Sequence, residues 1–140
     1  GHIYAVGEQG LVLKLDPASG RFIALPMPYQ GTLFGIHGDA TVLLVHGLRG
    51  HALRSDDGGA TWTEIATGLQ VGLTASARTN DGAWLLASQA GHLLMSRDNG
   101  RSFQPLVTKT KPLPAAALVA AGAQGVVIAG PRGLQALALP

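Results

Sequence analysis

The sequence predicts an all-β chain built from repeated units of short antiparallel strands, and three observations lead there. Four glycines, Gly10, Gly50, Gly91 and Gly133, each precede a strand-like run and recur at spacings of 40, 41 and 42 residues. The apolar runs before them stay in phase: Ile3–Val6, Val42–Val45, Trp84–Ala87 and Val126–Ala129. A polar turn pattern, Ser-x-Asp-x-Gly-x-Thr-Trp, fills Ser55 to Trp62 and returns 41 positions later from Ser96 to Phe103. A unit of this length made of short strands and Gly-rich turns is the signature of a four-stranded β-propeller blade.

Taken in order, the first unit enters at its second strand, with Ile3 to Val6, Leu11 to Leu15 and Arg21 to Leu25 as second, third and outermost strands. The second unit supplies all four, at Thr32 to His37, Thr41 to His46, His51 to Arg54 and Thr61 to Ile65. The third repeats them at Gly72 to Arg78, Ala83 to Ser88, His92 to Ser96 and Ser102 to Leu106. The fourth has three, the innermost within Ala115 to Ala121, and no outermost strand. The reading is fourteen strands, about three and a half blades of a larger propeller, with bounds at 1–28, 29–68, 69–110 and 111–140. Innermost strands are rich in Ala, Ser and Thr, which suits crowding around an axis. Second strands such as Val42-Leu43-Leu44-Val45 are apolar on both faces, as stacked sheets require. One extra residue near His46 and Gly47 predicts a bulge or longer hairpin there.

The chemistry of the repeated turn is local. Asp57 and Asp98 can accept hydrogen bonds from backbone N–H groups a few residues on, as can the hydroxyls of Ser55, Thr61, Ser96 and Ser102. Gly59 and Gly100 permit positive φ, and Trp62 or Phe103 packs back under the turn. The Asp16 to Gly20 turn departs from this spacing. These two segments resemble the Asp-box, or bacterial neuraminidase repeat, of sialidases, sortilin-type receptors, xyloglucan hydrolases and the photosystem II assembly and stability factor family. With its small blades and low charge, the chain looks most like the last of these and its non-photosynthetic bacterial relatives. That resemblance implies a non-catalytic, extracytoplasmic scaffold that docks a protein partner, in the assembly of a membrane-protein complex. The alternative it leaves open is part of a glycan-binding or glycoside-hydrolase propeller.

Composition narrows the function classes. Apolar residues make up 46% and charged residues 13% of 140 positions, with 20 glycines, which excludes a disordered chain or a helical bundle. The net charge of +2 comes from few charges, without Lys/Arg runs or an aromatic platform, so no nucleic-acid partner is expected. No cysteine is present and no apolar run reaches eighteen residues, so neither a thiolate site nor membrane insertion is expected. Unpaired blade faces and edges make self-association an expectation. In a propeller the loops between second and third strands share one face with the connections between blades. That placement makes Arg49, Arg132, Lys109 and Lys111 the candidate partner-binding residues, a basic patch suited to an acidic segment.

No catalytic residue, cofactor or metal site is expected. Glycoside hydrolysis needs two carboxylates across one cleft, whereas Glu8 falls on the loop face and Glu64 in an outer strand. Tyr4 and Tyr29 have no evident partner for a nucleophile pair. His51 and His92 occupy equivalent positions after the repeat glycine, but no third ligand has sensible spacing, so both read as satisfied polar residues.

Overall fold

The computed structural model describes residues 1–140 and contains four antiparallel sheets, each a meander in chain order. The first holds β1 (Tyr4–Val6), β2 (Val12–Asp16) and β3 (Arg21–Ala24), and the second β4 (Leu33–Gly38), β5 (Leu43–Gly47), β6 (Ala52–Ser55) and β7 (Thr63–Ile65). The third holds β8 (Leu73–Arg78), β9 (Trp84–Ser88), β10 (Leu93–Ser96) and β11 (Gln104–Pro105), and the fourth β12 (Ala117–Ala121), β13 (Gly125–Gly130) and β14 (Gly133–Ala138). These are blades of three, four, four and three strands. Strands β4 and β8, and then β8 and β12, pack side by side as the inner edges of successive blades. No helix is long and apolar enough to cross a membrane.

Alternation along each strand builds the stack. In β5 and β9 every residue is buried, because each face meets a neighbouring blade. Three apolar cores result, one per blade interface. Val12, Val45 and Leu53 belong to the first; Leu44, Trp84, Leu86 and Leu94 to the second; and Leu85, Leu93, Val126 and Ile128 to the third. Trp84 is wholly buried. Its Nε1 donates to Asn99 Oδ1 at 3.2 Å, and the Arg78 guanidinium lies 4.9 Å from its ring centre.

The two Ser-x-Asp hairpins use the same bonds in both blades. Ser55 Oγ accepts from Gly59 N at 2.9 Å and donates to Asp57 Oδ1 at 2.8 Å, while Asp57 Oδ1 accepts from Thr61 N at 2.9 Å. Ser96, Asp98, Gly100 and Ser102 repeat this with distances of 2.7 to 2.9 Å. The hydroxyl of Thr61 bonded to Asp57 is the first cause that holds its carboxyl down at about 2, and Ser102 lowers Asp98 in the same way. Trp62 Nε1 closes its turn on Gly59 O at 3.0 Å, and Phe103 is buried in the second core. The Asp16 turn is tighter: its carboxylate accepts only from Ala18 and Ser19, with no serine upstream.

Two local features differ from the sequence reading. The register irregularity lies on the innermost strands, between Leu33 and Gly35 of β4 and between Leu73 and Ala75 of β8, not at the β5–β6 loop. A Cβ at Gly35 would sit 2.6 Å from the His46 ring, so the absence of a side chain there leaves room for that buried imidazole. Gly133 also leaves the pattern of the other three glycines. It pairs with Gly130 across a two-residue loop and opens β14 itself.

His46 ties the second blade to the third. Its Nδ1 faces Leu73 O at 2.8 Å, a carbonyl that can only accept, so Nδ1 carries the proton and Nε2 accepts from Ser76 Oγ at 3.0 Å. Burial pushes its pKa below the ordinary 6.5, as it does for His37, where the nearby Arg78 charge adds to the effect. The unfolded chain therefore takes up these protons at higher pH than the folded one, so their contribution to stability is complete above about pH 6.5 and is lost as pH falls below it. Thermal melts from pH 7.5 to 5.5 are expected to show a falling midpoint, with a shallower slope in His46→Gln; equal slopes would remove His46 from the account.

Candidate interaction face

In a four-stranded meander the loops between second and third strands emerge at one end, and the remaining turns at the other. At the first end lie Glu8–Gly10, Leu48–Gly50, Gln89–Gly91 and Pro131–Arg132, together with the connections between blades. These loops are clamped onto the connections. Gly10 N donates to Gly31 O at 2.9 Å, Leu48 N to Thr32 O at 2.9 Å, Gln89 N to Gly72 O at 3.0 Å and Ala115 N to Ser88 O at 3.0 Å. Gly10, Gly50 and Gly91 have φ of 73, 77 and 86°. A Cβ on them would stand 2.1, 2.0 and 2.5 Å from the carbonyl oxygens of Tyr29, Leu69 and Pro112. Glycine is required there twice over, for conformation and for space.

Arg49, Lys109, Lys111 and Arg132 are all exposed. None takes part in the four ion pairs of the molecule. The connection carrying Lys111 is tied to β14, the strand that follows Arg132: Gln135 donates to Lys111 O at 3.1 Å and accepts from Leu113 N at 2.8 Å. Lys109 lines an adjacent cleft of about 490 Å³ beside β14. Arg49 stands apart on the second blade.

At the opposite end three of the arginines are in ion pairs. Arg54 pairs with Asp56 at 3.1 Å, Arg97 with Asp81 at 3.3 Å, and Arg78 with Asp39. Arg54 also donates to Asn99 O at 2.9 Å, and Arg101 to Asp98 O at 3.1 Å. Arg54, Arg78, Arg97 and Arg101 thus tie turns together at that end, whereas Arg49, Lys109, Lys111 and Arg132 on the loop end are in no ion pair.

Arg49 has a further property that composition does not reveal. With φ of 56° and ψ of 30° it occupies the left-handed region, as does Gln9 at the same place in the first blade. Each is the first central residue of a turn closed by His51 N on Leu48 O at 3.2 Å, or by Leu11 N on Glu8 O at 3.1 Å. Two central residues with positive φ define the type I′ turn, whose preferred dipeptide is Asn-Gly. The Gln-Gly and Arg-Gly dipeptides were the available signal for it.

Other candidates are accounted for locally. His51 stacks on Tyr29 with ring centres 3.9 Å apart, and its Nδ1 bonds the Glu64 carboxylate. Tyr29 donates to Leu48 O at 3.3 Å, so this stack props the turn that carries Arg49. His92 bonds Ser88 Oγ at 2.8 Å. Glu8 lines a cleft of about 320 Å³ with Met27 and Gln30, on the first blade. No three His, Cys, Asp or Glu side chains converge on a point that could hold a metal ion.

The fold defines the class: the chain is a segment of a β-propeller. No protein-family model matches it, and no curated protein matches it. Among solved structures, it is similar to YCF48 bound to a D1 peptide, with a TM-score of 0.63 and 13% identity over 99% of this chain and 50% of that one. It is likewise similar to U3-55K, with a TM-score of 0.66 and 9% identity over 91% of this chain and 42% of that one. The chain thus spans half or less of the length of these two structures.

Replacing Arg49 by Asn relieves a left-handed arginine and keeps the turn. The expected result is unchanged or higher stability, by up to about 1 kcal/mol, read as a shift in urea midpoint at constant m. A loss of stability would mean that the arginine side chain supports the turn.

Proposed function

We propose that the chain is the non-catalytic, protein-binding part of a propeller scaffold, and that its loop face engages an extended, acidic segment of a partner. The observation that carries this reading is a difference between the two ends: Arg49, Lys109, Lys111 and Arg132 are exposed and in no ion pair, while Arg54, Arg78 and Arg97 at the other end are each paired with an aspartate. Arg49 adds weight, because a strained backbone position is filled by a cation where Asn or Gly would be more stable. A solved propeller similar in fold holds a bound peptide, and we carry that mode of binding to this chain as part of the proposal.

The repeated Ser-x-Asp hairpins support placing the chain among Asp-box propellers, in which Ser55, Asp57, Gly59, Thr61, Trp62 and their counterparts Ser96, Asp98, Gly100, Ser102 and Phe103 keep turns shut. On the same reading the partner belongs to a membrane-protein complex under assembly, and the protein works outside the cytoplasm. The glycan-hydrolase alternative receives no support from Glu64, whose carboxylate is taken by His51.

The test uses a fluorescent, extended peptide rich in Asp and Glu with a free C-terminal carboxylate. Arg49→Glu with Arg132→Glu is expected to weaken binding about tenfold or more and to flatten its salt dependence, as loss of peripheral cations does. Arg97→Glu, at the other end, is the control and should leave the affinity unchanged. Equal affinity in the double variant and the parent would overturn the assignment of the face.

A further inference from the structure

The innermost strands of the second and third blades bulge at the same place, at Phe34 and at Thr74. In the third blade the bulged side chain is used internally, since the Thr74 hydroxyl donates to Ala115 O at the entry of the next blade. In the second blade the same position holds an aromatic ring that is 44% exposed. The ring lies against Gly72, where a Cβ would stand 3.2 Å from Phe34 Cε2 and 3.1 Å from Gln89 Oε1. Ring and amide thus lie side by side over a glycine buried beneath them.

Gln89 is exposed and its side-chain amide forms no hydrogen bond within the molecule, whereas Gln30 donates to Met27 O at 3.0 Å and Gln135 spans Lys111 O and Leu113 N. Its backbone is fixed, with N bonded to Gly72 O at 3.0 Å. An amide that offers both a donor and an acceptor from a held loop can pair with the peptide group of an extended chain. The ring beside it offers an apolar face.

This pair stands close to the turn that carries Arg49. The connection into the third blade passes that turn at Leu69, whose carbonyl oxygen fills the place of a Cβ on Gly50, and runs three residues further to Gly72. Three residues span at most about 11 Å. The same turn is tied to the approach of β4, with Leu48 N on Thr32 O at 2.9 Å, and Leu48 is itself 39% exposed. A cation and an apolar platform therefore share the loop end of the second and third blades, at a separation that an extended chain covers in about three or four residues.

We infer that Phe34 and Gln89 form a subsite for an apolar side chain of the partner's acidic segment, about three or four residues from the acidic residue that faces Arg49. The subsite rests on the reading of the loop face as the docking surface and supplies its sequence preference. Cations on a rim set the encounter and its salt dependence, whereas an apolar anchor decides which sequence stays bound. The bulge itself does not call for an aromatic residue, since threonine serves at the same place in the third blade.

Two fluorescent peptides of equal length and charge test this, one rich in Asp and Glu with a single central Phe, the other with Ala in its place. The chain is expected to bind the Phe peptide about tenfold more tightly. Phe34→Thr, which copies the third blade, should bind both peptides at the affinity the parent has for the Ala peptide, with the same salt dependence and an unchanged far-ultraviolet dichroism spectrum. Gln89→Ala should lose most of the preference too, and it leaves the innermost strand untouched. Equal binding of the two peptides by the parent, or a preference that survives either substitution, overturns the subsite and leaves the assignment of the face standing. Binding of neither peptide overturns the face and the subsite with it.

Discussion

The contact on which the rest of the molecule depends is between a glycine in each loop joining second and third strands and a carbonyl of the connection that leaves the blade. At Gly10, Gly50 and Gly91 a backbone oxygen occupies the place of a Cβ. The approach sets where the connection runs, and hydrogen bonds such as Gly10 N to Gly31 O hold it there. Because the connection leads into the next innermost strand, this contact sets where each new blade begins. The apolar cores fill the space so defined, and the spacings of 40 and 41 residues from Gly10 to Gly50 to Gly91 are the trace of that approach in the sequence.

The same constraint explains what the two ends can do. Loops at the clamped end are held by backbone bonds to the connections and by side chains such as Tyr29 and Ser88, which leaves Arg49 and Arg132 exposed and without structural partners. Turns at the other end are held by side chains, with Ser55, Asp57, Ser96 and Asp98 bonding backbone N–H groups and arginines pairing with neighbouring aspartates. A substitution at that end disturbs a turn. At the clamped end a substitution of Arg49 or Arg132 changes mainly what the surface presents, which is where recognition can vary without loss of the fold.

Much of the architecture was legible in the sequence because repeats announce themselves three and four times over. The continuous apolar runs at Val42–Val45 and Trp84–Ala87 reported strands buried on both faces, and the Ser-x-Asp pattern located both outer hairpins. Two things were not legible. The bulges at Phe34 and Thr74 lie on the innermost strands, where the residue pattern carries no local signature of them. That Gly133 opens its strand, while Gly10, Gly50 and Gly91 lie in loops, was not legible either, because a near-equal spacing does not distinguish the two. At the candidate site, sequence supplied the four cations and the face, but the left-handed backbone of Arg49 and the Tyr29–His51–Glu64 stack beneath its turn required coordinates. Those residues come from a connection, a third strand and an outermost strand, and nothing in their spacing links them.

The measurement that tests the account most directly compares Gly50→Ala with Gly68→Ala by equilibrium unfolding at matched protein concentration. Both glycines have positive φ, 77° and 71°, so both substitutions incur the same conformational strain. Nothing lies within 4 Å of the Cβ position at Gly68, whereas at Gly50 the Leu69 carbonyl oxygen is 2.0 Å away. The expected loss is about 1 kcal/mol for Gly68→Ala and about 3 kcal/mol or more for Gly50→Ala, the difference measuring the contact between loop and connection. Equal losses would contradict the account, since they would reduce Gly50 to an ordinary turn glycine and leave the spacing of the blades to the apolar cores alone.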